Sequence, residues 1–202
     1  MNATAQITAD GVDVWTSCQI QSVAQSMAAR IAGVPDAKVR IHTQYLGGGF
    51  GRRGGGDFVG EAVEIAKHTN GAPVKLTWTR EDDMTHDNYR PASYVKFNAG
   101  LGADGLPTAV TATVACPAFG PTGQNGVDGN AVDGIFNAPY KFAALKVDAH
   151  HPDTGVPCTY WRSVGYSQNT YFMESFVDEM AAAAGQDPVE YRRKLLNSPR
   201  AL

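Results

Sequence analysis

Hydrophobic and polar positions change rhythm several times along this chain. Val12-Asp13-Val14-Trp15 alternates with a period of two and predicts a strand. Val23, Met27, Ala28 and Ile31 then recur at helical spacing, with Ser22 and Gln25 in capping-box positions and Gly33 and Pro35 as the stop, which predicts a helix over about Val23 to Ala32. Lys38 to Leu46 reads as a second strand and is followed by a run of glycines. Phe58, Ala62, Ile65 and Ala66 mark another helix that Asp57 can cap and Asn70-Gly71 can end, and Val74 to Thr79 reads as a third strand. Strand, helix, strand, glycine turn, helix, strand is an α/β order.

The rhythm then changes. Ser93 to Leu101 and Leu106 to Val114 alternate on either side of Ala103-Asp104-Gly105, the pattern of a β-hairpin. From Pro117 to Pro139 the chain is rich in Gly, Asn and Pro and predicts a long loop. Tyr140 to Ala149 reads as a further strand. Gln168 to Ala184 and Pro188 to Leu196 read as helices, the second capped by Asp187 with Pro188 at its first position, and Met173, Phe176, Val177 and Met180 are its neighbour's core face. The fold class is therefore mixed α+β, divided into a first part at residues 1–90 and a second, antiparallel part at 91–202.

Composition narrows the function classes. With 17 basic and 20 acidic residues the formal net charge is −3, so no general field draws nucleic acid or an anionic membrane. The stretch is long enough for a buried core, and no apolar run is long enough to span a bilayer. The N-terminal residues do not form a signal peptide, which leaves the compartment open between a bacterial cytoplasm and a periplasm. Cys18, Cys116 and Cys158 form neither a Cys-x-x-Cys pair nor a metal-ligand spacing and read as buried small hydrophobes, so the chain itself holds no iron–sulfur cluster.

The candidate chemistry lies in Gly47-Gly48-Gly49-Phe50-Gly51-Arg52-Arg53, between a strand and a helix. Glycines admit positive φ and close approach to the backbone, and successive N–H groups ahead of a helix favour an anion. The same run also suits a plain tight turn. Gly49-x-Gly51-x-x-Gly54 formally matches a dinucleotide fingerprint, with Glu81 or Asp82 as ribose acids, so a nucleotide-binding, Rossmann-like module without a redox metal is the alternative reading. Against it, two elements precede the turn and the acids lie 27 and 28 residues beyond Gly54 (81 − 54, 82 − 54). A P-loop fares worse, because no Gly-Lys-Ser/Thr closes the turn.

Four segments in order carry a resemblance: Thr16-Ser17-Cys18-Gln19, Gly33 to Arg40, Gly47 to Arg52, and Trp161-Arg162-Ser163-Val164-Gly165-Tyr166-Ser167-Gln168-Asn169. Together they resemble the molybdenum-binding subunit of the xanthine dehydrogenase and aldehyde oxidase family, in particular its isoquinoline 1-oxidoreductase beta-subunit branch. In that family a glutamine precedes the Gly-Gly-Gly-Phe-Gly loop by about thirty residues; here Gln19 and Phe50 are 31 apart (50 − 19).

The resemblance implies a molybdopterin-binding domain, with the cofactor as its cytosine dinucleotide. It implies that Gln19, Phe50 and Arg162 stand beside the reacting centre, with the Gln19 amide hydrogen-bonding an oxygen ligand of the metal and Phe50 as an apolar wall. Gly48, Gly49, Gly51, Arg52 and Ser163 would bind the cofactor, with Arg52 at its phosphates, while Arg53 is left as a solvated alternative. Tyr160 and Val164 would line the substrate pocket, and Trp161 reads as a core anchor.

The activity implied is hydroxylation of an aldehyde or an N-heterocycle with water as the oxygen source. Electrons would leave through iron–sulfur clusters on a small 2Fe-2S subunit, with a cytochrome c as a further candidate partner. Ser163 stands where carbon monoxide dehydrogenases carry cysteine and Tyr166 where relatives often have histidine; the first departure argues against carbon monoxide oxidation. The family's glutamate base is expected beyond residue 202, so the chain is expected to be a fragment that is inactive alone. His42, His68, His150 and His151 are assigned no metal, and no role is assigned to His86-Asp87 or Arg90-Pro91.

Overall fold

The computed structural model describes residues 1–196 and divides the chain into two compact units, the first running from Met1 to Asn88 and the second from Tyr89 onward. In the first unit β1 (Asn2–Thr8) and β2 (Gly11–Thr16) form an antiparallel hairpin, and β2 pairs in parallel with β3 (Val39–Thr43). The helix α1 (Gln21–Ala32) lies between β2 and β3 in sequence. After the glycine run comes α2 (Asp57–Ala66), and then β4 (Val74–Thr77) pairs antiparallel with β1, so the sheet order is β3-β2-β1-β4. Only one of its three pairings is parallel. That topology removes the Rossmann-like alternative, which needs a mostly parallel, doubly wound sheet.

Alternation explains which face is buried. Ala3, Ala5, Val12, Val14 and Val39 point from one face of the sheet into a cluster with Ala24, Ala28, Phe58, Val59, Ala62 and Val63 from the two helices. The turn at Gly11 closes tightly, with φ +141° and a position where a Cβ would lie 2.2 Å from the Lys38 carbonyl oxygen, so no other residue fits there.

In the second unit β5 (Tyr94–Leu101) and β6 (Pro107–Ala115) form the expected antiparallel hairpin, and β7 (Leu145–His150) adds in parallel to β6. The connection from β6 to β7 contains a short helix, α4 (Gly129–Val132), capped by Asp128. The helix α5 (Tyr166–Ala183) buries Met173, Val177 and Met180, while Phe176 is partly buried and stacks on Phe97 at 4.8 Å between ring centroids. The final helix α6 (Pro188–Leu195) is capped by Asp187, which accepts from the N–H groups of Val189 and Glu190, and it buries Tyr191 and Leu195. The Tyr191 hydroxyl donates to Gly105 O and the Gln186 amide to Asp104 O, both at 3.0 Å, so the α5–α6 corner clamps the hairpin turn.

Several local expectations are corrected. β1 was not read from the sequence, and neither was α3 (Arg80–His86), whose Thr79–Asp82 capping box begins at the residue where the third strand was expected to end. α1 begins at Gln21, so Ser22 is inside the helix; Gln25, expected in its capping box, donates instead to the carbonyls of Asp36 and Val39. Asp57 is the first residue of α2, not its cap, because its carboxylate is held by Arg52. The strand expected from Tyr140 starts only at Leu145; Tyr140 itself turns its hydroxyl to Glu174.

Candidate cofactor-binding loops

In the first unit the chain leaves β3 and makes a loop over residues 44–51 that a 3-10 turn, Arg52–Gly54, joins to α2. Phe50 sits at its apex with φ +48°, a left-handed conformation in which a side chain is unfavourable, and its ring is 58% exposed. Gly48 (φ +129°) and Gly51 (φ +96°) flank it, and a Cβ on Gly48 would come within 2.7 Å of the Phe50 ring.

Gln19 packs directly on this loop. Its Oε1 accepts the Gly51 N–H at 2.9 Å and its own N–H donates to Arg53 O at 2.9 Å. A Cβ on Gly49 would lie 2.4 Å from Oε1, so the glycine is what lets glutamine approach. This arrangement leaves the Gln19 carboxamide N–H₂ pointing to no acceptor among the described residues, and the N–H groups of Gly48, Gly49 and Phe50 likewise have none there.

The two arginines are anchors. Arg52 grips both oxygens of Asp57, at 2.8 and 2.7 Å, and its Nε donates to Asp87. Burial opposes its charge, but those two carboxylates raise its pKa above the ordinary value. Three of its donors are thus engaged, and the expected contact with cofactor phosphates has to compete with two carboxylates. Arg53 is not solvated: it donates to Ser17 O at 2.7 Å and to the Asn2 side chain, and lies over the Phe58 ring at 5.4 Å. Its burial, with no carboxylate in contact, lowers its pKa.

The second loop precedes α5 in the second unit. Val164 N–H donates to Trp161 O at 2.7 Å, closing a turn in which Ser163 (φ +70°) and Val164 (φ +50°) are both left-handed. Two successive side-chain-bearing residues in that region cost on the order of 1–2 kcal/mol each, and valine is the less tolerant. Arg90 holds the turn from outside: it donates to Arg162 O at 3.0 Å, Val164 O at 3.3 Å and Ser167 Oγ at 2.8 Å, and its guanidinium lies over the Trp161 ring at 5.7 Å. Trp161 is therefore not the core anchor expected; it is 50% exposed and serves as a platform for Arg90. The Arg162 and Ser163 side chains are exposed, and among the described residues the Arg162 guanidinium has no partner. Tyr160 is half-buried, edge-on to Phe119 at 5.8 Å.

Of the four non-glycine residues with positive φ among those described, Phe50, Ser163 and Val164 thus fall in the two loops singled out from the sequence. Strain of that kind persists where surrounding structure over-determines it, as Gln19 and Arg90 do here. Residues 1–196 match the molybdopterin cofactor-binding domain.

The chain belongs to that family. It is 33% identical to the isoquinoline 1-oxidoreductase subunit beta of Brevundimonas diminuta, over 98% of this chain and 26% of that protein. It is 34% identical to a membrane-bound aldehyde dehydrogenase [pyrroloquinoline-quinone] of Gluconacetobacter polyoxogenes, over 93% of this chain and 26% of that protein. The fold is similar to that of the aldehyde oxidoreductase of Desulfovibrio gigas, with a TM-score of 0.81 at 19% identity over 98% of this chain and 22% of that one. The chain therefore spans about a quarter of the length of these relatives.

The residues present fit such a cofactor. Taken unit by unit, the bare N–H groups beside Phe50 and the Gln19 carboxamide in the first, and in the second the Arg162 guanidinium, none with a partner among the described residues, are donors suited to the oxygens of an anionic pterin group. Sequence reading missed the anchors. Asp87 and Arg90 lie in two short polar segments that carried no assignment, and their partners are 35 and 72 to 77 residues away.

Proposed function

We propose that this chain is the cofactor-binding part of a molybdenum hydroxylase that takes molybdopterin as its cytosine dinucleotide. The proposed reaction is oxidation of an aldehyde or hydroxylation of an N-heterocycle with oxygen from water. The observation that carries this reading is the family match over residues 1–196. The geometry of the two loops supports it.

A bound molybdenum–pterin group would supply two-electron oxidation of carbon at neutral pH. The chain's own residues bind and orient. Gln19 Nε2 is proposed to donate to an oxygen of the bound group, its rotamer fixed because Oε1 is held by Gly51. Gly48, Gly49 and Gly51 would present backbone to the cofactor, and Phe50 would shield that face from water. Arg162 and Ser163 are proposed as cofactor contacts, and Tyr160 and Val164 as walls of the substrate pocket. Arg52 is proposed to keep the loop in place through Asp57 and Asp87, with its remaining N–H groups as the only ones open to a phosphate. Electrons would pass to a small 2Fe-2S subunit, in keeping with relatives named as beta subunits, and a cytochrome c is a further proposed partner. No described helix is long and apolar enough to cross a membrane.

The test is analysis of the protein purified from a host that makes molybdenum cofactor. Acid oxidation should release a fluorescent pterin, mild hydrolysis should release CMP, and metal analysis should find molybdenum with it. Folded protein that carries no pterin, or that carries the quinone named for the Gluconacetobacter relative, would overturn the reading.

A further inference from the structure

Asp128 is the only fully buried carboxylate among the described residues, with 0% exposure, and no cation pairs with it. Four donors replace the missing charge partner. Its Oδ2 accepts the N–H groups of Phe119 at 3.0 Å and Gly120 at 2.9 Å, and its Oδ1 accepts the Asn130 N–H at 3.0 Å and the Asn130 carboxamide at 2.8 Å. The Asp128 N–H in turn donates to His151 Nε2 at 2.9 Å. His151 Nδ1 lies 2.8 Å from Cys116 O, a group that only accepts, so Nδ1 is the donor and Nε2 the acceptor. Such a network far exceeds what capping the four-residue helix α4 requires.

What the network holds leads to the second loop at both of its ends. Gly120 is wedged between Asn130 and Tyr160: a Cβ there would lie 2.4 Å from Asn130 Nδ2 and 2.7 Å from the Tyr160 hydroxyl. Phe119 presents its ring edge-on to the same tyrosine. At the other end a Cβ on Gly165 would lie 1.9 Å from the Asn130 carbonyl oxygen, and the buried Asn169 donates to Ala131 O at 2.9 Å and Asp133 O at 2.8 Å. The segment 160–165 therefore abuts, before and after its strained turn, backbone that one carboxylate fixes.

We propose that Asp128 is the positioning residue of this loop, setting Tyr160 through Phe119 and Gly120 and setting Gly165 through Asn130, so that the Arg162-Ser163-Val164 turn is preformed for its ligand. The proposal rests on the cofactor-binding reading for what the loop binds, and on the geometry alone for the coupling.

The experiment is Asp128→Asn in the full chain, read by site-resolved amide exchange and by pterin content. An asparagine turns an N–H₂ toward one of the two donor pairs, so either Phe119 and Gly120 or Asn130 must be released. The amide of whichever donor is released, Gly120 or Asn130, and that of Val164, the bonded amide of the turn, are expected to exchange roughly ten times faster or more, while those of β5 and β6 keep their rates. Pterin content per folded chain should fall. Faster exchange at Gly120 or Asn130 with no change at Val164, or an equal rise across the whole unit, overturns the proposal. Gly120→Ala keeps the carboxylate but crowds both Asn130 Nδ2 and the Tyr160 hydroxyl; it should speed exchange at Val164 as well, and it decides the matter if Asp128→Asn does not fold. Wild-type protein without pterin would sink the cofactor reading and leave the exchange result standing.

Discussion

A single glycine decides whether Gln19 can reach the first loop. At Gly49 the closest atoms to an added Cβ all belong to the Gln19 side chain, at 2.4 to 2.7 Å, so Gly49→Ala must expel the carboxamide and with it the bond to Gly51. The side chain can swing into solvent, so the stability loss should be only about 1 kcal/mol. Cofactor content should nonetheless fall at least as far as in Gln19→Ala, and pterin fluorescence per folded chain measures both. Asp13 offers a residue-level test of a different kind. Arg40, bonded to its carboxylate, and His42, at 2.7 Å, hold its pKa down to about 2 against burial that would raise it. A depressed carboxylate stabilises the fold fully above its ordinary pKa near 3.8 and loses that contribution as pH falls toward about 2. Because Arg40 is half exposed, solvent screening limits the effect to a few tenths of a kcal/mol up to about 1. Acid titration of unfolding should show that loss between those pH values in the wild type, and Asp13→Asn should lack it.

At the scale of elements, the Arg52 clamp ties the glycine loop to the start of α2 and to Asp87 just after α3. Arg52→Ala would leave Asp57 and Asp87 without their cation, at a cost of roughly 1–2 kcal/mol, because Arg52 is shielded but Asp57 is 45% exposed. Arg52→Lys should recover little of it, because an ammonium cannot match the two-point grip on Asp57. Urea unfolding of both variants checks the order.

This clamp also shows where sequence reading stops. The hairpin of β5 and β6 and the helix α6 were legible, since alternation around Asp104-Gly105 and the pair Asp187-Pro188 are local signals. β1 was not, because its buried positions are Ala3 and Ala5, too small to register as an apolar rhythm. α1 misled because it starts at Gln21 after an N-cap, Ile20, that makes no side-chain bond, so the Ser22 pattern had nothing to do there. The loops themselves were visible through their glycines and motif residues. Their anchors were not, because Asp87 and Arg90 act on partners that only folding brings near, and Asp128 lies in a run read as a long loop.

For the molecule as a whole, the weak net charge of −3 supplies no general field, so the proposed cofactor would be held by directed bonds. Binding to the folded chain alone must then raise its stability by mass action, by about 2.7 kcal/mol when free ligand stands at a hundred times its dissociation constant. Chain made in a host unable to assemble molybdenum cofactor should therefore unfold at a lower temperature than chain made in a competent host. The shift should shrink in Gln19→Ala, since that side chain's free donor is one of the proposed contacts. It should persist in Asp13→Asn, whose carboxylate faces away from the core on the outer side of β2. Differential scanning calorimetry of the two preparations, with pterin measured in each, makes the comparison. Equal melting temperatures despite bound pterin would mean that the described residues take no part in holding it.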